Sequence, residues 1–301
     1  MSNKIRKNDQ NIRPSGIKFD NYYDICVGLT VYNPGGDDLK ILDSICEIID
    51  LVIIYDNSEH PDNGLEAKIG SHKNCTFLSN GKNDGVSIAL NTMADVAVAS
   101  DKRKIIFFDQ DSELSGADLV EYLDKILSYD CSDVAMFSPN IICDYVVDEN
   151  AYFDAPPVKE CDWLITSGSC LDLCAYEDIG TFDEKLFIDL VDTDFCIRAR
   201  EKGYKLLQLS TPIMRHSLGD VRSILNIKYY CHSPLRIYYQ VRNKIYLSKK
   251  HPNTNILGVI VSILKGIVKI TFLEKNKFFR FKMVFKGIVD AKNSVMGKYI
   301  E

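Results

Sequence analysis

The sequence is poor in tryptophan, in histidine and in closely paired cysteines. One Trp and five His occur in 301 residues, and the ten Cys include no CxxC pair. That pattern excludes a zinc ribbon and the disulfide framework of a small secreted domain. Buried free thiols in a reducing compartment are the expectation. The opening MSNKIRKNDQNIRPSGIKFD has no apolar core of a secretory signal, so residues 1–22 read as a flexible leader. Long apolar runs are missing too. The longest uncharged one, NTNILGVIVSIL (253–264), ends at Lys265 after 12 residues, whereas crossing a bilayer takes about 20. No membrane span is expected there. What remains, 46% apolar and 26% charged residues, is the composition of a folded chain large enough for one big domain and an appendage.

Charge is divided unevenly. From Arg222 onward there are 16 Lys and Arg against 3 acids, while the first 221 residues hold 20 basic and 39 acidic residues. A basic tail on an acidic body has three possible partners: phospholipid, nucleic acid or the body itself. Within the tail, ILKGIVKITF and KFFRFKMVFKGIV mix Lys and Arg with Ile, Val and Phe at spacings that allow a charged and an apolar helix face. An interfacial helix has that design, and a hairpin packed on the domain is the plainer alternative. The expected partner is an anionic membrane contacted peripherally at its cytoplasmic face, and no nucleic acid.

Earlier in the chain, apolar runs alternate with amphipathic stretches. DICVGLTVY (24–32), LVIIYD (51–56), CTFLS (75–79) and KIIFFD (104–109) read as strands. Between them, DDLKILDSICEIID (37–50) and GVSIALNTMADVAVAS (85–100) read as helices. Strands without polar alternation, linked by helices, belong to a parallel sheet covered on both faces. GADLVEYLDKIL (116–127) and LVDTDFCIRAREKGY (190–204) read as further helices, VAMFSPNIIC (134–143) and CDWLITSGSCLDL (161–173) as strand-rich. KLLQL (205–209) reads as the last strand, TPIMRHSLGD (211–220) as a loop, and 229–301 as basic helices. The expected fold is α/β, a Rossmann-like, mostly parallel sheet with a basic C-terminal helical extension. Its divisions are 1–22, 23–228 and 229–301.

Ligands of such sheets bind beyond the carboxyl ends of the strands. Tyr32-Asn33, Asp56-Asn57 and Asp109-Gln110-Asp111 all stand at those ends and converge on one crevice. Two carboxylates one residue apart repel, so they call for a cation, and oxygen ligands favour Mg2+ or Mn2+ bridging to phosphate.

From residue 24 to about 250 the chain resembles the inverting family 2 glycosyltransferases of the GT-A fold, and among them the rhamnosyltransferase-like members. GLTVYNP, VIIYDNS, NGKNDGVSIALN, FFDQDS, TSGSCL, FDEKLFIDLVDTDFCIRAREKGY and MRHS match in order. The resemblance implies that Thr30, Tyr32, Asn33, Asp56, Asn57, Asn83, Gly85, Asn91, Asp109 and Gln110 hold a nucleotide-sugar donor. It assigns Asp111, His216 and Asp109 to a metal, Mn2+ or Mg2+, and Ser167, Gly168 and Ser169 to the acceptor floor. Trp163 is either an acceptor platform or a core residue, and Arg215, Ser217 and Arg222 are candidates to clamp a diphosphate. Many relatives carry Glu-Asp where this chain has Val191-Asp192, a form frequent in the rhamnosyltransferase-like group. The catalytic base is thereby assigned to Asp192, with Asp189 its rival one helical turn earlier.

The expected reaction is metal-dependent, inverting transfer of a sugar, L-rhamnose from dTDP-L-rhamnose, to a glycan or lipid-linked glycan in cell-surface polysaccharide synthesis. HSPLRIYYQVRNKIYL (232–247) either contacts a lipid-linked acceptor or packs as a helix. A UDP-sugar is the alternative donor. An aspartate-nucleophile phosphohydrolase also ends a strand with DxD, but it wants Thr or Val where Glu113 stands and an Asp where Ile224 stands.

Overall fold

The computed structural model describes residues 22–35, 39–60, 69–129, 132–143, 156–216, 221–224 and 227–300, with backbone only for Cys143, His216 and 221–230. All but one residue of the expected leader lie outside that set. In chain order the elements are β1 (Ile25–Val31), α1 (Lys40–Ile48), β2 (Val52–Asp56), β3 (Cys75–Ser79), α2 (Val86–Ala99), β4 (Lys104–Asp109), α3 (Gly116–Ser128) and β5 (Val134–Cys143). Then come β6 (Val158–Glu160), β7 (Cys170–Asp172), α4 (Leu173–Ile179), α5 (Val191–Glu201), β8 (Lys205–His216), β9 (Val221–Ile224) and β10 (Ile227–Tyr230). Three helices, α6 (Pro234–Lys250), α7 (Ile256–Leu273) and α8 (Lys277–Lys292), complete the set.

Eight strands form one sheet in the order β3-β2-β1-β4-β7-β5-β8-β6. The first four are mutually parallel, β5 is parallel to β8, and β7 and β6 run antiparallel to their neighbours. Alternate residues of the central strand serve opposite faces, as the pleat requires. Ile25, Val27, Leu29 and Val31 of β1 pack with Leu42 and Ile45 of α1 and Tyr122 of α3. Cys26 faces the other way, toward Ala89 and Met93 of α2 and Phe195 of α5. Both faces are therefore dry, which is why these strands carry no polar alternation.

Three local expectations fail for identifiable reasons. The segment 161–173 is mostly a loop: Gly168 turns the chain at φ +78°, and Asp172 caps α4 by accepting from the Cys174 and Ala175 N–H groups. The strand expected to stop at 209 continues to His216. Pro212, which has no N–H to donate, sits where the β5–β8 ladder slips register between Ser138 and Asn140. Finally, Lys265 does not end the apolar helix. It lies inside α7, an unbroken 18-residue helix of mean hydropathy 2.2 that is long and apolar enough to cross a membrane by length and composition.

The basic tail divides in two. α6 packs into the body: Lys250 pairs with Asp183 at 2.6 Å and with buried Asp194 at 2.8 Å, and His251 meets Asp194 at 2.9 Å. α7 and α8 pack on α6 through Ile270 and Val284 against Val241. Gly287 of α8 lies so close to α6 that a Cβ there would sit 2.9 Å from the Tyr238 carbonyl oxygen. Outward, α7 shows Leu257, Val261, Leu264, Val268 and Phe272, and α8 shows Phe278, Phe281, Phe285 and Ile288. The expected separation of charged and apolar faces is not found. Arg280 turns inward to pair with Glu274, and Lys286 pairs with Asp290 at 2.8 Å, which leaves phenylalanines outside.

Candidate active site

The carboxyl ends of β1, β2 and β4 are level, with Val31 opposite Asp56 and Thr30 opposite Asp109. A cavity of about 410 Å3 opens there, lined by Thr30, Tyr32, Asn57, Asn83, Gly85, Asp109 and Gln110 among the expected residues. Its walls are hydrogen-bonded rather than merely adjacent. The Tyr32 N–H donates to Gln110 Oε1 at 2.6 Å, Asn57 Nδ2 donates to the Gly85 carbonyl at 3.1 Å, and the Asp84 N–H donates to Asn57 Oδ1 at 3.1 Å. Gly85 has φ +90°, and a Cβ there would fall 2.4 Å from the Phe187 carbonyl oxygen, which accepts from the Val86 N–H. Only glycine fits between the donor-side turn and that loop.

Other expected residues stand behind the wall. Asp56 is fully buried; its Oδ1 accepts from the Ser58 N–H at 2.9 Å, and its Oδ2 has no partner among the described residues. Ser58 Oγ in turn accepts from the Asn33 N–H at 2.7 Å, so Asp56 and Asn33 order the two strand ends from beneath. Asn91 is also buried. It donates to the Phe182 carbonyl and Glu184, and accepts from the Phe182 N–H and Tyr176 hydroxyl, which pins the 182–187 loop. Ser167 and Ser169 are 3% and 0% exposed. Ser167 Oγ lies 2.9 Å from Ser112 Oγ, Ser112 Oγ accepts from the Asp109 N–H at 3.1 Å, and the Gly168 carbonyl accepts from Tyr122. The TSGS segment thus braces the DQD turn with side chains that the family resemblance implies face an acceptor. Trp163 is 58% exposed, so it is not a core residue.

Asp111 lies exposed on the turn after β4. An antiparallel bridge between Glu113 and Arg215 ties that turn to the end of β8, with Glu113 N–H to Arg215 carbonyl at 3.4 Å and the reverse bond at 3.3 Å. His216, the next residue, is thereby brought beside the DQD turn by its backbone. Ser217 is outside the described residues, and of Arg222 the backbone alone is described. Among the described side chains no three metal-binding groups form a cluster. The Asp109 and Asp111 carboxylates of that turn are oxygen donors of the kind that suits Mn2+ or Mg2+.

Asp192 sits in the first turn of α5. Burial pushes its carboxyl up to about 6; the nearby Asp189 charge pushes the same way, against hydrogen bonds from Thr193. Those bonds, from the Thr193 N–H at 2.7 Å and its hydroxyl at 3.3 Å, both go to Oδ1. Asp189 is not on the helix: α5 begins at Val191, and Asp189 and Leu190 both have φ +65°. Its carboxylate is held by Arg236, whose Nε lies 3.2 Å from Oδ1.

Known proteins are similar to this chain in sequence and in fold. A curated dTDP-rhamnosyl transferase, RfbF of Shigella flexneri, is 27% identical over 292 residues, covering 89% of this chain and 95% of that protein. Solved structures share the fold. GalNAc-T7 with UDP, GalNAc and Mn2+ superposes with a TM-score of 0.56 at 11% identity, over 92% of this chain and 57% of that one. S. aureus TarS 1-349 in complex with UDP-GlcNAc gives 0.52 at 12% identity, over 91% and 73%. No family model matches the chain. The chain has the GT-A fold. Part of the cavity wall comes from outside the sheet: Phe187 and Ile188 from the loop before α5, and Ser233, Leu235, Arg236 and Tyr239 from the start of α6. Sequence patterning missed these six. The one available signal was Ser233-Pro234, a cap and first-turn pair that fixes where α6 begins and so which residues reach the cavity.

Proposed function

We propose that this chain is a glycosyltransferase that moves L-rhamnose from dTDP-L-rhamnose to a hydroxyl of a glycan or lipid-linked glycan, with inversion at the anomeric carbon. The observation that carries the reading is the similarity to a dTDP-rhamnosyl transferase over 89% of the chain. The donor lies in the cavity, its nucleoside against Thr30, Tyr32 and Asn57 and its diphosphate toward the DQD turn. Asp109 and Gln110 meet it from the floor, and Asn83 and Gly85 from the side.

Asp192 is the general base. A hydroxyl is a poor nucleophile until its proton is taken, and a placed carboxylate that removes it during attack accelerates transfer by about 10²- to 10⁴-fold. A carboxyl near 6 is ionised at neutral pH yet more basic than a solvated aspartate, so it suits that task. As the acceptor oxygen bonds to C1, the C1–O bond to the diphosphate breaks and the proton passes to Asp192. No enzyme nucleophile is required. Asp111, His216 and Asp109 would hold a divalent cation whose charge offsets that of the leaving diphosphate.

We place the enzyme peripherally on the cytoplasmic membrane face. α7 is apolar on the side that packs on α6 and on the side that meets water, and only 6% of it is buried. A helix apolar all round belongs in a core or in lipid. Exposed Lys275, Lys277 and Lys282 beside Phe278 and Phe285 complement an anionic headgroup layer.

A donor panel tests the reading. Binding and hydrolysis of dTDP-, UDP- and GDP-sugars are measured with and without Mn2+, and dTDP-L-rhamnose with Mn2+ is expected to respond most strongly. Silence toward every donor sinks the proposal; preference for a UDP-sugar, the ligand class of the TarS complex, reassigns the donor.

A further inference from the structure

The only tryptophan stands in water. Trp163 borders a cleft of about 520 Å3 together with Lys159, Glu160, Asp162 and Gln208, on the α5 side of β5 and β8. A large exposed indole next to carboxylate and amide groups is costly surface for a free protein and apt surface for a sugar. The apolar face of a pyranose can lie on the ring while its hydroxyls reach the acids and the amide.

Three contacts fix this cleft relative to the base. Asp192, Cys196 and Arg200 recur at intervals of four on α5 and share one face of it. Arg200 Nη2 lies 2.9 Å from Asp162 Oδ1. The Leu164 N–H donates to Cys196 Sγ at 3.4 Å, and the Cys196 thiol donates back to the Leu164 carbonyl at 3.5 Å. Residues 162–164 therefore run along the face of α5 that ends at Asp192. The same segment continues to Ser167, which braces the DQD turn. At about 1.5 Å per residue, Cys196 is about 6 Å and Arg200 about 12 Å along the helix from Asp192, roughly one to two pyranose rings.

We propose that the Trp163 cleft binds the second sugar of the acceptor, one unit inward from the ring that carries the reacting hydroxyl. The enzyme then extends an oligosaccharide chain rather than a monosaccharide or a bare lipid carrier. This rests on the reading of Asp192 as the base of a sugar transfer.

Being the sole tryptophan, Trp163 reports its own occupancy. The full chain is titrated without donor with mono-, di- and trisaccharides of rhamnose and of N-acetylglucosamine, following tryptophan emission. The same saccharides are then assayed as acceptors with dTDP-L-rhamnose and Mn2+. Di- and trisaccharides are expected to shift the emission and to show a KM at least tenfold below that of the monosaccharides. Trp163→Ala should raise that KM toward the monosaccharide value, with the loss in KM rather than kcat, and Trp163→Phe should restore most of it. Emission unmoved by every saccharide, or a KM independent of chain length in the parent enzyme, overturns the subsite. Donor binding measured by calorimetry on the same preparation separates the two readings: if the donor fails to bind while oligosaccharides still shift the emission, the transfer reading falls and the subsite stands.

Discussion

The sheet body and the α7–α8 pair use apolar residues in opposite ways. In the body, β1, β2 and β4 are sealed on both faces, and polar groups are confined to the strand ends, where they line a cavity. In α7–α8 the inner faces are satisfied by α6, yet the outer faces carry large apolar side chains among their lysines, with Phe272 75% and Phe278 86% exposed. Burial of apolar area drives folding at about 25 cal/mol per Å2. A body that buries its apolar faces gains that energy in water; a helix pair that leaves phenylalanines outside does not. α6 belongs by charge to the tail and by contact to the body, because its lysines and arginines found carboxylates there, Arg236 on Asp189 and Lys250 on Asp183 and Asp194.

The largest effect that would break this contrast lies in the body. Asp192→Asn should lower transfer by about 10²- to 10⁴-fold while donor affinity, followed by calorimetry, stays put. Retained transfer in that variant, with loss in Asp189→Asn, would hand the base to Asp189 and dissolve the assignment of Arg236 as its structural partner. On the other side of the contrast, replacing Phe272, Phe278 and Phe285 together by Ser should release the full chain from anionic vesicles in flotation, and should leave the thermal midpoint close to that of the parent because none of the three is buried. Vesicle binding of the parent should also weaken as salt rises. Binding unaffected by the triple substitution would move the membrane contact elsewhere. The smallest effect sharpens the electrostatics of the site. Transfer should rise with pH through about 6, since the base works ionised and its carboxyl is held up by burial. Asp189→Asn removes a negative charge that pushes in the same direction, so the midpoint of that profile should move to lower pH. A profile that moves upward contradicts the charge arrangement.

Much of the body is legible in the sequence. β1, β2 and β4 announced themselves as short apolar runs, and the acids at their ends followed from the direction of a parallel sheet. The DQD turn and the end of β8 are both marked in the sequence, although β8 runs seven residues beyond the expected end at 209. What misled was residue type without environment. Asn91, Ser167 and Ser169 are the small polar residues expected around a ligand, yet each spends its hydrogen bonds on the loops that shape the site. Arg236 gave no comparable signal, because nothing local relates a cation on α6 to a carboxylate 47 residues earlier.

Periodicity and composition were enough for the strands, the helices, the acids of the crevice and the split in charge, since each depends on neighbours within a turn or a strand. Which of Asp189 and Asp192 is taken up in an ion pair, which wall α6 contributes, and whether the indole faces core or water depend on chain segments far apart in sequence. Those were set by packing: Arg236 occupies Asp189 and leaves Asp192 desolvated beside it, and the 162–164 segment bonds along α5 and turns Trp163 outward.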